Sequence, residues 1–406
     1  MPASLVRLFC SLFLGSMFCC LGCNKGGDPN TIKIVSSLPR TGSAEGQTTS
    51  ITNGIKMALE EVDYKVGNFK IEYADWNDAI SSSGNWDSAA EINNANLAAS
   101  DRDCMVYIGP FNSGAAKASM PILNQAGLLM ISPANTAIGL TKPSGVKGEP
   151  ENYRPTGKIN YVRVVATDDL QGTLAAEWAK QLGVSKVYIL DDSEMYGKGC
   201  ADLFERRCNE IGLTVLGHEQ ISTKANDFKS IMNKIKALGP DLVYFGGTTQ
   251  SKGGQIAKDM REVGLDCKLM VPEGCFEEAF ITAAGAESVN GRCYVTFPGL
   301  PAQQLTGTGK EFYERFKKKY NAEPEPYAIY GYECSKVALE AIRKAGKKDR
   351  AAIVAACLGL KDFEGALGKW SFDANGDTTL QRLSGFEIRN GKFEFVTMLE
   401  AGGAAK

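Results

Sequence analysis

The sequence predicts an α/β protein made of two doubly wound parallel-sheet lobes. The first observation is an alternation of strand-like and helix-like segments between residues 31 and 131. The second is an irregular, proline-containing segment at 143–158, which breaks this rhythm and indicates a surface excursion. The third is that the alternation resumes between residues 161 and 271, which indicates a second sheet. With 406 residues, 44% of them hydrophobic, the chain is long enough to fill two cores with a cleft between them.

Short apolar runs and helical apolar stripes predict the elements of the first lobe. Strands are predicted at 32–36, 69–73, 105–108 and 128–131. Helices are predicted at 51–62, 87–99 and 114–126. Because strands and helices alternate, we expect the strands to be parallel and covered by helices on both faces.

The second lobe repeats this pattern, and the tail departs from it. Strands are predicted at 161–165, 186–190, 214–218, 242–245 and 268–271. The helices between them are predicted at 172–182, 197–211, 228–238 and 255–263. The tail has longer helices at 309–320, 327–345 and 349–358, and then two strand-like runs at 385–389 and 392–399. An Asn-Gly step joins these two runs and predicts a hairpin.

The first 23 residues have the character of an export signal. Arg7 precedes an apolar run at 8–21, which is too short to span a bilayer as a mature helix. Gly22 then precedes Cys23, which resembles a bacterial lipoprotein signal in which Cys23 becomes the lipidated N-terminus; the alternative is a plain secretory signal cut nearby. Residues 24–30 are polar and predict a flexible tether. In both cases we expect the protein in the periplasm or at the cell surface. With the lipoprotein signal, it would touch the membrane only through the lipid.

Composition argues against several classes of function. The net charge of −2, without a clustered basic stripe, gives no basis for nucleic-acid binding. His218 is the single histidine, the cysteines outside the signal form no CxxC pair, and the turn at 373–377 lacks the ligands of an EF-hand. We therefore predict no metal site, no cofactor and no catalytic residue. Whether a disulfide forms within 267–293 is left undecided by the sequence.

Polar residues follow four strands at the points where ligands bind in open α/β sheets. Ser113 and Thr136 follow two neighbouring strands of the first lobe, where hydroxyl groups and free backbone amides suit a small anion such as a carboxylate. Glu273 follows a strand of the second lobe on a Pro/Gly-bounded turn, and a carboxylate there can pair with an ammonium group. Tyr196, after another strand of that lobe, can reach the same cleft.

The landmarks along the chain resemble those of the periplasmic branched-chain amino-acid-binding protein family, the leucine/isoleucine/valine-binding solute receptors of ABC importers. The similarity extends from Ile32 to about residue 399. The landmarks, in order, are Thr41-Gly42-Ser43, Tyr107-Ile108-Gly109, Met130-Ile131-Ser132-Pro133-Ala134, Tyr196-Gly197-Lys198-Gly199, Val243-Tyr244-Phe245-Gly246-Gly247 and Pro272-Glu273-Gly274.

The resemblance implies the periplasmic binding protein-like I fold, with a hinge that the chain crosses three times, near 165–168, 296–299 and 378–383. It places lobe 1 at 31–166 plus 298–379, and lobe 2 at 167–297 plus 380–400. It also implies a monomer whose partners are a small-molecule ligand and the subunits of a membrane permease.

The resemblance also implies ligand-binding roles for individual residues. Ser113 and Thr136 match the positions that hold the ligand carboxylate, while Ala134 (through its carbonyl) and Glu273 match those that hold the ammonium. The remaining candidates lie against the ligand or beside the hinge; they are Tyr196, Tyr327, Asn135 and Asp168. Three positions depart from the family pattern and leave the accepted side chain open, namely Thr248, which replaces a tyrosine, and Phe111 and Asn112 on the pocket floor.

The function that we predict is capture of a small amino acid of the branched-chain type in the cleft, followed by delivery to the permease. Two alternatives remain at this stage. One is a receptor for an amide, urea or another polar solute, and the other is a ligand-sensing ectodomain. An enzyme is not expected, because no nucleophile with an adjacent base and no cofactor fingerprint is visible.

Overall fold

Two large sheets organise the computed structural model, which describes residues 28–81 and 84–400. The proposed signal segment and Cys23 therefore lie outside the described residues. The first lobe contains the strands β1 (Thr31–Leu38), β2 (Lys65–Val66), β3 (Phe69–Asn77), β4 (Cys104–Ile108), β5 (Leu129–Ser132) and β6 (Tyr161–Arg163). They form one sheet in the order β2-β3-β1-β4-β5-β6, in which every pairing except β2 with β3 is parallel. Its helices are α1 (Glu45–Glu60), α2 (Ser88–Ser100) and α3 (Ser113–Gln125).

The second lobe repeats the alternation with five parallel strands. They are β7 (Lys186–Asp191), β8 (Thr214–Gln220), β9 (Leu242–Gly246), β10 (Lys268–Val271) and β11 (Cys293–Phe297). The helices are α4 (Asp168–Gln181), α5 (Met195–Glu210), α6 (Lys229–Leu238), α7 (Gly253–Glu262), α8 (Glu278–Ala284) and α9 (Ala286–Val289).

The chain then returns to the first lobe before its last hairpin. The returning segment contains α10 (Gly307–Tyr320), α11 (Ala328–Ala345), α12 (Arg350–Leu358), β12 (Phe363–Gly365) and β13 (Gly368–Trp370). Helix α11 packs against α1 at two glycines, since a Cβ on Gly54 would lie 2.1 Å from the Ala328 carbonyl oxygen. The hairpin β14 (Leu383–Arg389) and β15 (Lys392–Leu399) completes the second sheet, whose order is β15-β14-β11-β10-β9-β7-β8. The chain thus passes three times between the two sheets.

A buried ion pair links the segment between β13 and β14 to the end of β6 and to the loop after β5. The fully buried Arg163, at the end of β6, donates from Nε to Asp377 Oδ1 at 2.7 Å. Its Nη1 donates to the carbonyl oxygens of Asn135 (3.0 Å) and Ala137 (2.8 Å). Burial opposes ionisation of Asp377, but the Arg163 charge outweighs it and lowers the pKa of that carboxyl. One guanidinium therefore fixes the loop that carries Thr136.

The structure confirms the α/β class and corrects several details. The strand predicted at 161–165 as the first of the second set is β6, which pairs with β5 and ends the first sheet. Helix α1 begins at Glu45, six residues before the predicted start, because its polar first turns are buried against the cleft and α11 rather than exposed. Cys267, Cys275 and Cys293 are free, so the disulfide left open within 267–293 does not form. Among the described residues, no helix has the length and apolar character needed to cross a membrane.

Candidate ligand-binding site

The first lobe contributes a helix N-terminus. After β4 the chain turns through Phe111 and Asn112, and α3 begins at Ser113, so the free amides of its first turn point at the cleft. Such a terminus carries a partial positive charge and favours a bound anion. The hydroxyl of Ser113, itself 2% exposed, accepts the Ala137 N–H at 3.4 Å. This contact joins the end of β4 to the loop after β5.

The second lobe contributes a buried carboxylate. Glu273 follows β10 after Pro272 and is only 3% exposed. Its Oε1 accepts the hydroxyl of Thr136 at 3.4 Å across the cleft, and its Oε2 accepts the side-chain amide of Gln171 on α4. Burial raises the pKa of Glu273 to about 7, although these hydrogen bonds favour the ionised form. A cation placed beside Glu273 would restore the charged form.

Asp168 adds a second acid next to Glu273. It is the first residue of α4, and its backbone N–H donates to the Thr136 carbonyl oxygen at 2.9 Å. Neither carboxylate oxygen has a hydrogen-bond partner in the described part of the chain. Burial, and then the nearby Glu273, raise the pKa of Asp168 well above its usual value. Two buried acids thus meet where the lobes join, and this favours a positive group between them.

A cavity of ≈ 180 Å³ lies between these elements. It is smaller than the roughly 300–1,000 Å³ of pockets for drug-sized ligands, so it suits a small solute. Eight of the predicted site residues line it, namely Phe111, Asn112, Ser113, Ala134, Tyr196, Thr248, Glu273 and Tyr327. The sequence therefore selected residues that the fold brings together.

Three predicted residues do not line this cavity. Thr136 turns its hydroxyl to Glu273, and Asp168 is buried. The side-chain amide of Asn135 donates instead to the carbonyl oxygens of Pro110 (3.0 Å) and Phe111 (2.8 Å). Asn135 thereby holds the loops after β4 and β5 together, so its contribution is to position the site rather than to face the ligand.

Aromatic rings and a tight turn form the remaining walls. The ring of Tyr327 stands edge-on to Phe111, with centroids 5.8 Å apart. The hydroxyl of Tyr196 accepts the N–H of Gly274 at 3.0 Å. A Cβ on Gly274 would lie 2.8 Å from Thr248 Cγ2 and 2.9 Å from Tyr196 Cε1, so only glycine fits there.

The two lobes also touch directly around the cavity. Asn112 donates to Gln250 Oε1 at 3.0 Å, and Gln47 donates to the Phe276 carbonyl oxygen at 3.3 Å. With the Thr136–Glu273 contact, these hydrogen bonds hold the cleft in a closed arrangement.

Several lining residues escaped the sequence analysis, among them Trp86, Asp192, Glu194 and Gln250. Asp192 and Glu194 lie between the end of β7 and the start of α5, just before Tyr196, so the strand-end rule could have found them. Trp86 lies in an irregular loop that is folded back by its bridge to Ala79, and no local pattern marks it. Within residues 28–81 and 84–400, no group of His, Cys, Asp and Glu side chains could hold a metal ion.

A small cavity enclosed between two α/β lobes is typical of two-lobed solute receptors, and this protein has that arrangement. Residues 31–392 match the model of the periplasmic binding protein family. The chain belongs to that family, whose members are solute-binding proteins.

Known proteins agree with this assignment and with the resemblance found in the sequence. A Leu/Ile/Val-binding protein homolog of Brucella abortus (strain 2308) is 30% identical over 387 residues, which cover 94% of this chain and 97% of the relative. A crystal structure of a leucine-binding protein of Thermotoga maritima is 25% identical, with a TM-score of 0.81 over 91% of this chain and 99% of that one. A solute-binding protein of R. palustris in complex with benzoate shares the fold at 18% identity, with a TM-score of 0.76 over 93% and 97% of the two chains.

Proposed function

We propose that the protein is an extracytoplasmic solute-binding protein of an ABC importer, and that it captures an α-amino acid in the cleft and delivers it to the permease. One observation carries this proposal. A single cavity has the N-terminus of α3 on one side and the buried carboxylate of Glu273 on the other. These two features complement the carboxylate and the ammonium of a zwitterion.

The proposed mechanism follows from this polarity. The ligand carboxylate docks on Ser113 and the first amides of α3. The second lobe then closes, so that Glu273 and the Ala134 carbonyl oxygen take the ammonium while Tyr196 and Tyr327 cover the ligand. Binding thus favours the closed form, and the permease recognises that form.

The relatives support an amino acid as the ligand. The names of the Brucella and Thermotoga proteins specify Leu/Ile/Val and leucine, and these make a branched-chain amino acid the starting candidate for this chain. The zwitterion seat and the side-chain pocket are separate features, so the first can be tested with any amino acid that binds.

Mass spectrometry of the small molecule that co-purifies with the protein gives the first test, and calorimetry with the purified compound gives the second. We expect an α-amino acid that binds one to one. Its N-acetyl derivative and its methyl ester should not bind, because each lacks one charge of the zwitterion. Equal affinity for either derivative would refute the proposal.

A second candidate is a polar solute without an ammonium group, such as an amide or urea. The pKa of Glu273, at about 7, favours it, because a protonated carboxyl can donate a hydrogen bond to a carbonyl oxygen. The R. palustris protein, which shares the fold, is in complex with benzoate, a solute that also lacks an ammonium group. A thermal-shift screen separates the candidates, since stabilisation by urea or acetamide but by no amino acid would favour the second.

We also propose that Cys23 carries a lipid that holds the protein at the membrane. Labelling with a radioactive fatty acid during growth should mark the wild type and not Cys23→Ser. A labelled Cys23→Ser protein would contradict this assignment.

A further inference from the structure

The lining of the cavity is unusual for a pocket that accepts an aliphatic side chain. Among the described residues, it includes no Leu, Ile, Val or Met, and no Lys, Arg or His. It includes four acids, namely Asp87, Asp192, Glu194 and Glu273. If Glu273 pairs with the α-ammonium, the other three acids and the ligand's own carboxylate have no positive partner in the lining.

Asp192 is the most deeply buried acid of the three. It is 4% exposed and lies between the end of β7 and the start of α5. Its Oδ1 accepts the N–H of Glu194 at 3.0 Å, whereas its Oδ2 has no hydrogen-bond partner among the described residues. Burial raises its pKa to about 7, although the nearby Ser251 hydroxyl favours ionisation. The cavity wall thus contains a buried carboxylate oxygen near the Ser251 hydroxyl, which donates to the Thr248 carbonyl oxygen instead.

Other groups that line the cavity add polar atoms and an indole ring. A Cβ on Gly114 would lie 2.7 Å from Trp86 Cζ2 and 3.2 Å from Glu194 Oε2, so the indole ring and the carboxylate meet above this glycine. Asn112 donates through its amide nitrogen to Gln250 Oε1. The other two polar atoms of this pair, Asn112 Oδ1 and Gln250 Nε2, are buried and have no partner among the described residues. An aliphatic ligand would leave these groups desolvated and unpaired.

We infer that the solute is an amino acid whose side chain ends in a cationic group, a guanidinium or an ammonium, held by Asp192 and Glu194 beside Trp86. A guanidinium can donate several hydrogen bonds to these acceptors and can lie against the indole face. The departure at Thr248 agrees with this inference, since a threonine there fills less of the pocket than the tyrosine it replaces. This inference rests on the proposed function, because it assigns Glu273 to the α-ammonium and leaves Asp192 and Glu194 for the side chain.

Calorimetry at pH 8 on the full chain, freed of co-purified ligand, compares L-arginine, L-citrulline and L-leucine. Citrulline has nearly the shape of arginine but no charge. We expect arginine to bind about 10- to 100-fold more tightly than citrulline, as for hydrogen bonds to charged groups, and leucine to bind more weakly still. Asp192→Asn should weaken arginine binding about tenfold or more and change citrulline binding by less than about threefold. Asp202→Asn, on the exposed side of α5, is the matched control and should change neither.

If Asp192→Asn does not fold, Glu194→Gln provides a second test, because Glu194 is an exposed residue at the rim of the cavity. It should also weaken arginine binding selectively. Leucine binding as tight as arginine binding, or an equal loss for arginine and citrulline in both variants, would overturn the inference and leave the amino-acid function standing. No binding of any amino acid would instead remove the proposed function, and this inference with it.

Discussion

Replacing Glu273 by glutamine should change binding and stability in opposite directions. Gln has nearly the shape of Glu but no charge, so the bound ammonium would lose its carboxylate while the cavity keeps its form. Removing one partner of a buried charge pair costs about 2–5 kcal/mol. We therefore expect Glu273→Gln to raise the Kd of the amino-acid ligand by roughly 30- to 4,000-fold.

The same substitution should stabilise the unliganded protein. The pKa of Glu273 is about 7 instead of 4.5. Holding this carboxylate ionised at pH 8 therefore costs about 3 kcal/mol, because each pH unit corresponds to about 1.4 kcal/mol. The amide keeps an oxygen for Thr136 but presents a donor to the Gln171 amide, so part of the gain is lost. We expect the free energy of unfolding at pH 8 to rise by about 1–3 kcal/mol.

Calorimetry measures the first effect, and urea unfolding of the ligand-free protein measures the second. Glu278→Gln is the matched control, because Glu278 is the exposed first residue of α8 and should alter neither quantity. A loss of both affinity and stability would show that Glu273 has only a structural role. Unchanged affinity would refute its assignment to the ammonium.

Three further outcomes follow from the structure. Asp377→Asn leaves the buried charge of Arg163 without its main partner, and urea unfolding should show a loss of about 3–5 kcal/mol; a loss below 1 kcal/mol would contradict the role given to this pair. Burial raises the pKa of Glu277 from 4.5 to about 8, so the folded protein keeps this proton up to a pH at which the unfolded chain has already released it. The ligand-free protein should therefore lose stability as the pH rises from 5 to 8, and a constant urea midpoint would exclude this linkage. Gly274→Ala should lower stability by about 1–3 kcal/mol and weaken binding, whereas Gly199→Ala, whose new Cβ meets no atom within 4 Å, should do neither in the same assays.

The sequence was sufficient for the fold where the pattern of apolar residues repeats. The predicted strand at 268–271 and the predicted helix at 114–126 agree with β10 and α3 to within a residue. Strand β11 was missed although its residues are all buried like those of β4 and β9, because Pro298 and Gly299 follow it instead of a helix and the alternation of strand and helix ends there. The early start of α1 was missed because Gln47, Thr48 and Ser50 are buried polar residues, and burial of polar side chains depends on tertiary partners.

The site shows the same division. Ser113 and Glu273 could be found because each directly follows a strand that the apolar pattern predicts. Gln250 follows β9 and was within reach of the same rule, whereas Trp86 could not be found, because it lies in an irregular loop that only the tertiary fold brings to the cavity. The residues proposed to hold the zwitterion are thus marked by local sequence pattern, whereas part of the remaining cavity wall depends on long-range contacts.

We propose that the two lobes recognise the opposite charges of one zwitterion, and a crystal structure that retains the co-purified ligand would test this proposal. We expect the ligand carboxylate within hydrogen-bond distance of Ser113 Oγ and the amides of α3, with the ammonium against Glu273. A ligand in the reverse orientation, or one bound outside the cavity between the lobes, would contradict the proposal.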